Sequence, residues 1–130
     1  LGENARAALV TRGLAEMIRL AVAKGGRAET LMGLSGLGDL VLTCNSPRSR
    51  NMSLGIALGQ GESLESVLGA RRAVTEGVTS AAAISVLARR LGIDMPIVAA
   101  VNRILHEGAD IESEVAGLLA RPFKAERPFR

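Results

Sequence analysis

Aromatic residues are almost missing from this chain: it has no Trp and no Tyr, and its two Phe, Phe123 and Phe129, stand near the C-terminus. A core without aromatics argues against a β-sandwich, where aromatic and β-branched side chains are enriched, and favours closely packed helices. The single cysteine, Cys44, rules out an internal disulfide and a cysteine-based zinc site. It fits a reducing, cytoplasmic setting. With one histidine, His106, and no Cys or carboxylate cluster beside it, no metal site is expected. No apolar run reaches the roughly 18 residues of a membrane span, and no signal peptide is visible. A dense basic stripe is also missing. The net charge is +3, but basic residues are scattered singly or in pairs such as Arg71-Arg72 and Arg89-Arg90, among 13 acidic ones. Nucleic acid is therefore not an expected partner, whereas a small anion is.

What remains is a chain rich in Ala, Leu and Val. Its 130 residues suffice for one domain with a core. Hydrophobic residues make up 48% and the mean hydropathy is +0.26, so some apolar surface is expected to face another domain or subunit. The opening Leu1-Gly2-Glu3-Asn4 resembles the middle of a loop rather than a start, and an excised domain is expected.

Periodicity predicts a long helix from an Asn4 cap to Lys24, stopped by Gly25-Gly26. Apolar residues cover most of its circumference, which predicts a buried central helix. Its polar stripe is Arg12, Glu16 and Arg19, at i, i+4 and i+7. A short helix over 29–32 leads into Gly33, Gly36 and Gly38 and a polar loop. Further helices are expected over 51–58, from a Ser63 cap to Leu68, from a Thr79 cap to Gly92, from Pro96 to Glu107, and from an Asp110 cap to Leu119. Val74 to Gly77 is read as a turn or short extended segment. The fold class is all-α, with a helical domain over 1–120 and a loose tail over 121–130.

Chemistry concentrates in Gly38-Asp39-Leu40-Val41-Leu42-Thr43-Cys44 and in Ser49-Arg50-Asn51. Gly33 to Gly38 matches neither the dinucleotide loop nor the P-loop, and no strand precedes it, so these glycines serve turns and close helix approach. Asp39 is either a cap or solvated acid, or a carboxylate that hydrogen-bonds a hydroxylated ligand. Thr43, four residues on, joins it if the segment is helical. Arg50 between Ser49 and Asn51 suits an oxyanion: the guanidinium forks onto two oxygens and its neighbours donate further. Glu76 taken alone is a solvated turn residue. His106 and Cys44 are read as structural.

Several of these segments together resemble the C-terminal domain of bacterial NAD(P)-dependent glycerol-3-phosphate dehydrogenases. They are Asn4 to Glu16, Gly36 to Leu40, Thr43-Cys44, Ser49-Arg50-Asn51, Val74 with Glu76-Gly77, Met95-Pro96-Ile97 and Leu118 to Glu126. The resemblance implies a helical domain of the 6-phosphogluconate dehydrogenase C-terminal-like type. It implies part of an enzyme that interconverts sn-glycerol 3-phosphate and dihydroxyacetone phosphate with NAD or NADP, for phospholipid synthesis. Asp39, Thr43, Ser49, Arg50 and Asn51 would bind substrate; Arg50, Val74 and Glu76 would face the cofactor. The family's catalytic Lys would lie upstream of Leu1, and the Rossmann domain would be a partner outside this chain. A homodimer is a further candidate assembly. The fragment alone is expected to be inactive. Two other readings are the helical domain of a different hydroxy-acid dehydrogenase and a non-catalytic dimerisation or anion-binding module.

Overall fold

The computed structural model describes residues 2–44, 50–70 and 75–121, with the backbone alone at Ser35, Arg50, Asn51, Gly69, Ala70, Thr75, Glu76 and Gly77. Among the described residues there are eight α-helices and one π-helical turn. In order they are α1 (Glu3–Ala23), α2 (Ala28–Leu31), the π-helical turn Leu34–Gly38, α3 (Asp39–Cys44), α4 (Arg50–Gly59), α5 (Leu64–Ala70), α6 (Thr75–Leu91), α7 (Pro96–His106) and α8 (Ile111–Ala120). No strand occurs among them, so the all-α reading holds.

Glycine ends the helices as expected. Gly25, Gly61 and Gly92 take positive φ of 90°, 93° and 66°. The next amide then reaches back five residues: Gly26 to the Ala21 carbonyl, Glu62 to Ala57 and Ile93 to Ala88. Two caps also stand where the sequence puts them. Ser63 Oγ accepts the Ser66 amide at 3.1 Å, and the Asp110 carboxylate accepts that of Ser113 at 3.0 Å. That bond, with one from the Ser113 hydroxyl, holds the Asp110 carboxyl below its usual range.

Other boundaries differ. Asn4 is not the cap of α1: the helix begins at Glu3, and Gly2 holds the extended cap position without a side-chain bond. Thr75 to Gly77 open α6 rather than forming a turn, which puts Thr79 in the helix body instead of at its cap. Arg121 is not loose. Its guanidinium bonds Asp94 at 2.9 Å, and its carbonyl accepts from Arg12 at 2.6 Å. The rest of the expected tail, 122–130, lies outside the described residues.

Helix α1 packs against α2, α3, α7 and α8, so it is central, but only Glu16 and Ile18 on it are buried. Ala8, Leu9, Leu14, Met17 and Leu20 remain half-covered, because these neighbours do not wrap the whole apolar circumference. A second core joins α4, α5 and α6 through Leu54, Ala57, Val67 and Val78, flanked by Leu105 of α7. Buried Ala81, Ala88 and Ala100 allow α6 and α7 to approach closely. His106 fixes the far end of α7. Its Nε2 lies 2.8 Å from the Val78 carbonyl, which can only accept, so the ring proton sits on Nε2. The structural reading of His106 therefore stands.

Candidate functional site

The first part of the segment expected to be a polar loop, Leu34 to Cys44, is helical, and 45–49 lie outside the described residues. The π-helical turn runs directly into α3, and this depends on Gly36. A Cβ added there would overlap the backbone carbonyl of Leu31, so only glycine lets the turn press against the end of α2. The close-approach role expected of these glycines is therefore met at Gly36. Asp39 opens α3 and Thr43 follows one turn later, both exposed. Their i, i+4 spacing puts both side chains on the same side of the helix. Leu40 and Cys44 are the half-covered positions of α3. Burial pushes the Cys44 thiol above its usual range, which suits packing rather than nucleophilic chemistry.

Arg50 and Asn51 form the first turn of α4, and Glu76 lies in the first turn of α6. Leu54, one turn beyond Arg50, and Val78, two residues beyond Glu76, belong to the same buried cluster. Helices α4, α5 and α6 thus share one apolar core near the start of α6. Ser49 and Val74 lie outside the described residues, as do the side chains of Arg50, Asn51 and Glu76. Of the candidate residues, Asp39 and Thr43 share one side of α3, while Arg50 and Asn51 lie at the start of α4 and Glu76 at the start of α6.

The polar stripe of α1 has a purpose that periodicity did not reveal. Helix α7 begins with Pro96, which has no N–H, and its cap residue Met95 offers no side-chain acceptor. The Glu16 carboxylate replaces that cap, accepting the Ile97 amide at 2.7 Å and the Val98 amide at 3.1 Å. One turn earlier, Arg12 donates to the Leu118 and Arg121 carbonyls at 2.7 and 2.6 Å, closing the end of α8. Arg19 donates to the Asp94 carbonyl at 2.7 Å. Glu16 is 2% exposed. Burial raises its pKa; the Val98 and Ile97 amides and Arg19 pull it down, Asp94 pushes it up, and the net shift is upward. One sequence signal for this cap exists, namely a helix opening on Pro with no capper of its own.

A cleft of about 610 Å³ lies between α6, α7 and α8, walled in part by Arg89, Asn102, Arg103, Glu114 and Arg121. Its charges are largely spent on each other. Arg103 holds Glu114 through two bonds of 2.8 Å, which keeps the Glu114 carboxyl below its usual range, and Arg121 holds Asp94. Asp39 and Thr43, the candidate binding residues whose side chains are described, do not line this cleft. Among the described residues, no group of three His, Cys, Asp or Glu side chains gathers as a metal site would require.

Residues 1–116 match the model of the NAD-dependent glycerol-3-phosphate dehydrogenase C-terminus. A glycerol-3-phosphate dehydrogenase [NAD(P)+] of Parvibaculum lavamentivorans is 63% identical over 96% of this chain, and one of Maricaulis maris is 60% identical over 97%. In both cases the match spans 38% of the relative's length. The crystal structure of glycerol-3-phosphate dehydrogenase from Coxiella burnetii superposes with a TM-score of 0.87 at 48% identity, over 92% of this chain and 37% of that one. The chain belongs to the NAD-dependent glycerol-3-phosphate dehydrogenase family and corresponds to its C-terminal part.

Proposed function

We propose that this member of the family is the substrate-binding part of a longer enzyme. That enzyme would interconvert sn-glycerol 3-phosphate and dihydroxyacetone phosphate with NAD or NADP. The observation that carries the reading is the exposed Asp39–Thr43 pair on α3, in a chain that the family's C-terminal model matches over residues 1–116. In this reading residues 1–120 are the helical domain, with a tail from 121, and a Rossmann domain in the rest of the polypeptide is its partner.

Each residue type suits its assignment. A doubly negative phosphate is met by the Arg50 guanidinium with the Ser49 hydroxyl and Asn51 amide beside it. Because Arg50 opens the ten-residue α4, the positive end of the helix dipole adds to that field. Asp39 and Thr43 accept from and donate to the hydroxyl end of the substrate, and the carboxylate can also hold a catalytic Lys in place. Arg50, Val74 and Glu76 face the nicotinamide cofactor; Arg50 and Glu76 each lie in the first turn of a helix, α4 and α6. When bound, the nicotinamide supplies the hydride exchanged with the substrate carbon. The proton donor and the dinucleotide loop belong to the rest of the polypeptide, so this chain alone is inactive. A homodimer, a cytoplasmic location and supply of the phospholipid backbone belong to the same proposal; among the described residues no helix is long and apolar enough to cross a membrane.

The test is turnover by the full-length polypeptide, followed through reduced nicotinamide. Reduction of dihydroxyacetone phosphate in preference to 2-oxo acids supports the reading. Preference for a 2-oxo acid overturns it in favour of another hydroxy-acid dehydrogenase.

A further inference from the structure

Arg121, the last described residue, lines the cleft between α6, α7 and α8. It continues the side of α8 that walls the cleft: Glu114, Gly117, Leu118 and Arg121 stand at i, i+3, i+4 and i+7. Arg121 leaves α8 with φ −65° and ψ 135°, the extended conformation that a following proline favours. It is held on both sides, its carbonyl by Arg12 and its guanidinium by Asp94. The exit of the chain is therefore anchored beside the cleft, and the Cα of Phe123 stands within about 7 Å of that of Arg121. The cleft lacks an occupant. Ile93, Val98, Ala99 and Leu118 give it apolar walls that remain half-covered. Asn102 also lines it, and its Oδ1 is buried without a hydrogen-bond partner among the described residues. A buried acceptor in that state is costly, so the occupant must bring a donor as well as an apolar group.

We infer that the cleft is the docking site of the segment following Arg121, with the Phe123 ring against the apolar walls and a backbone N–H of Phe123 or Lys124 donating to Asn102 Oδ1. Pro122 has no N–H, so these two amides are the first donors the segment offers. The ring is the group the rest of the chain lacks, since Phe123 and Phe129 are its only aromatic residues, and an aromatic side chain gains much from burial. A cleft of about 610 Å³ falls in the range of sites that enclose small ligands, so it has room for one ring and the backbone beside it. Charge fits too: Arg89 and Glu107 stand on the walls, and the segment carries Glu126 and Lys124 to meet them. Attachment decides between this occupant and a free one. Tethered beside the cleft, the segment has an effective concentration in the millimolar range, which a separate molecule must exceed. The inference is independent of the proposed function, which places no substrate or cofactor contact in this cleft.

The experiment uses the full-length polypeptide with p-benzoylphenylalanine in place of Phe123. Light joins the benzophenone to a neighbouring C–H bond, and peptide mass locates the joint. The inference expects joints within one polypeptide, to α6 or α7 over 88–102, at every protein concentration. Joints only to other parts of the polypeptide, or none at all, overturn it. Joints between two polypeptides also overturn it, and assign the cleft to a second copy. A smaller probe removes the effect of the benzophenone's bulk: Phe123→Cys is labelled with maleimide and timed by peptide mass. Labelling in buffer is expected to be at least tenfold slower than in urea. Equal rates overturn the inference.

Discussion

The Glu16 carboxylate accepts the Ile97 amide at 2.7 Å, across 81 residues of sequence. With the Val98 bond, it satisfies the first two N–H groups that α7 possesses, since Pro96 has none; the next, Ala99, already bonds the Met95 carbonyl. Glu16→Ala removes both acceptors in a buried place and leaves two amides without partners. A loss of about 2–4 kcal/mol is expected. Urea unfolding checks it; a change below about half a kcal/mol would show that the cap contributes little.

The same carboxylate gives stability a pH signature. Its folded pKa lies above the usual glutamate range, with burial as the largest cause. Between the usual and the raised value the folded state binds more protons than the unfolded one, so stability falls as pH rises through that window. Glu16→Gln does not titrate there. The stability advantage of the parent chain over Glu16→Gln is therefore expected to shrink as pH rises from below the usual carboxylate range toward neutrality. Unfolding at a series of pH values decides it, and an advantage that grows with pH would show that the amide bonds outweigh burial.

Arg12 is expected to behave as the matching clamp at the other helix end. Arg12→Ala frees the Leu118 and Arg121 carbonyls and should cost about 1.5–3 kcal/mol. Amide exchange in α8 should rise, since its last turn loses that anchor. Arg12→Lys is expected to recover only part of the loss, because one ammonium cannot reproduce the fork. Unchanged α8 protection in Arg12→Ala would contradict this.

Gly36→Ala is expected to displace the π-helical turn, because the added methyl meets the Leu31 backbone and not a side chain that can swing away. The cost should be about 1–3 kcal/mol. Since the turn leads straight into α3, the Asp39–Thr43 pair should shift with it, and KM for dihydroxyacetone phosphate in the full-length enzyme should rise. A variant with parental stability and KM would remove Gly36 from the account.

Local signals made much of the fold legible. Gly25, Gly61 and Gly92 stop helices because glycine takes the left-handed conformation at no steric cost; Ser63 and Asp110 mark starts by what they accept, and Pro96 by the N–H it lacks. Glycine spacing misled at Gly33 to Gly38: those residues looked like a loop, yet Gly36 is what allows a π-helical turn to press on α2. Thr75 to Gly77 misled likewise, because packing of Val78 in the α4–α5 cluster outweighs the turn propensity of the segment. The stripe Arg12, Glu16 and Arg19 was visible, but its targets were not. Periodicity tells which residues share a face, and only the tertiary arrangement tells what that face meets. The motif residues were equally visible, and their division between α3 and the starts of α4 and α6 came from the structure.

The most direct measurement is kcat/KM for dihydroxyacetone phosphate in the full-length enzyme carrying Arg50→Ala. If Arg50 holds the phosphate, as proposed, the value should fall roughly 30- to 900-fold, equivalent to about 2–4 kcal/mol. A value unchanged from the parent enzyme would contradict the account and leave this chain a helical module without a part in substrate binding.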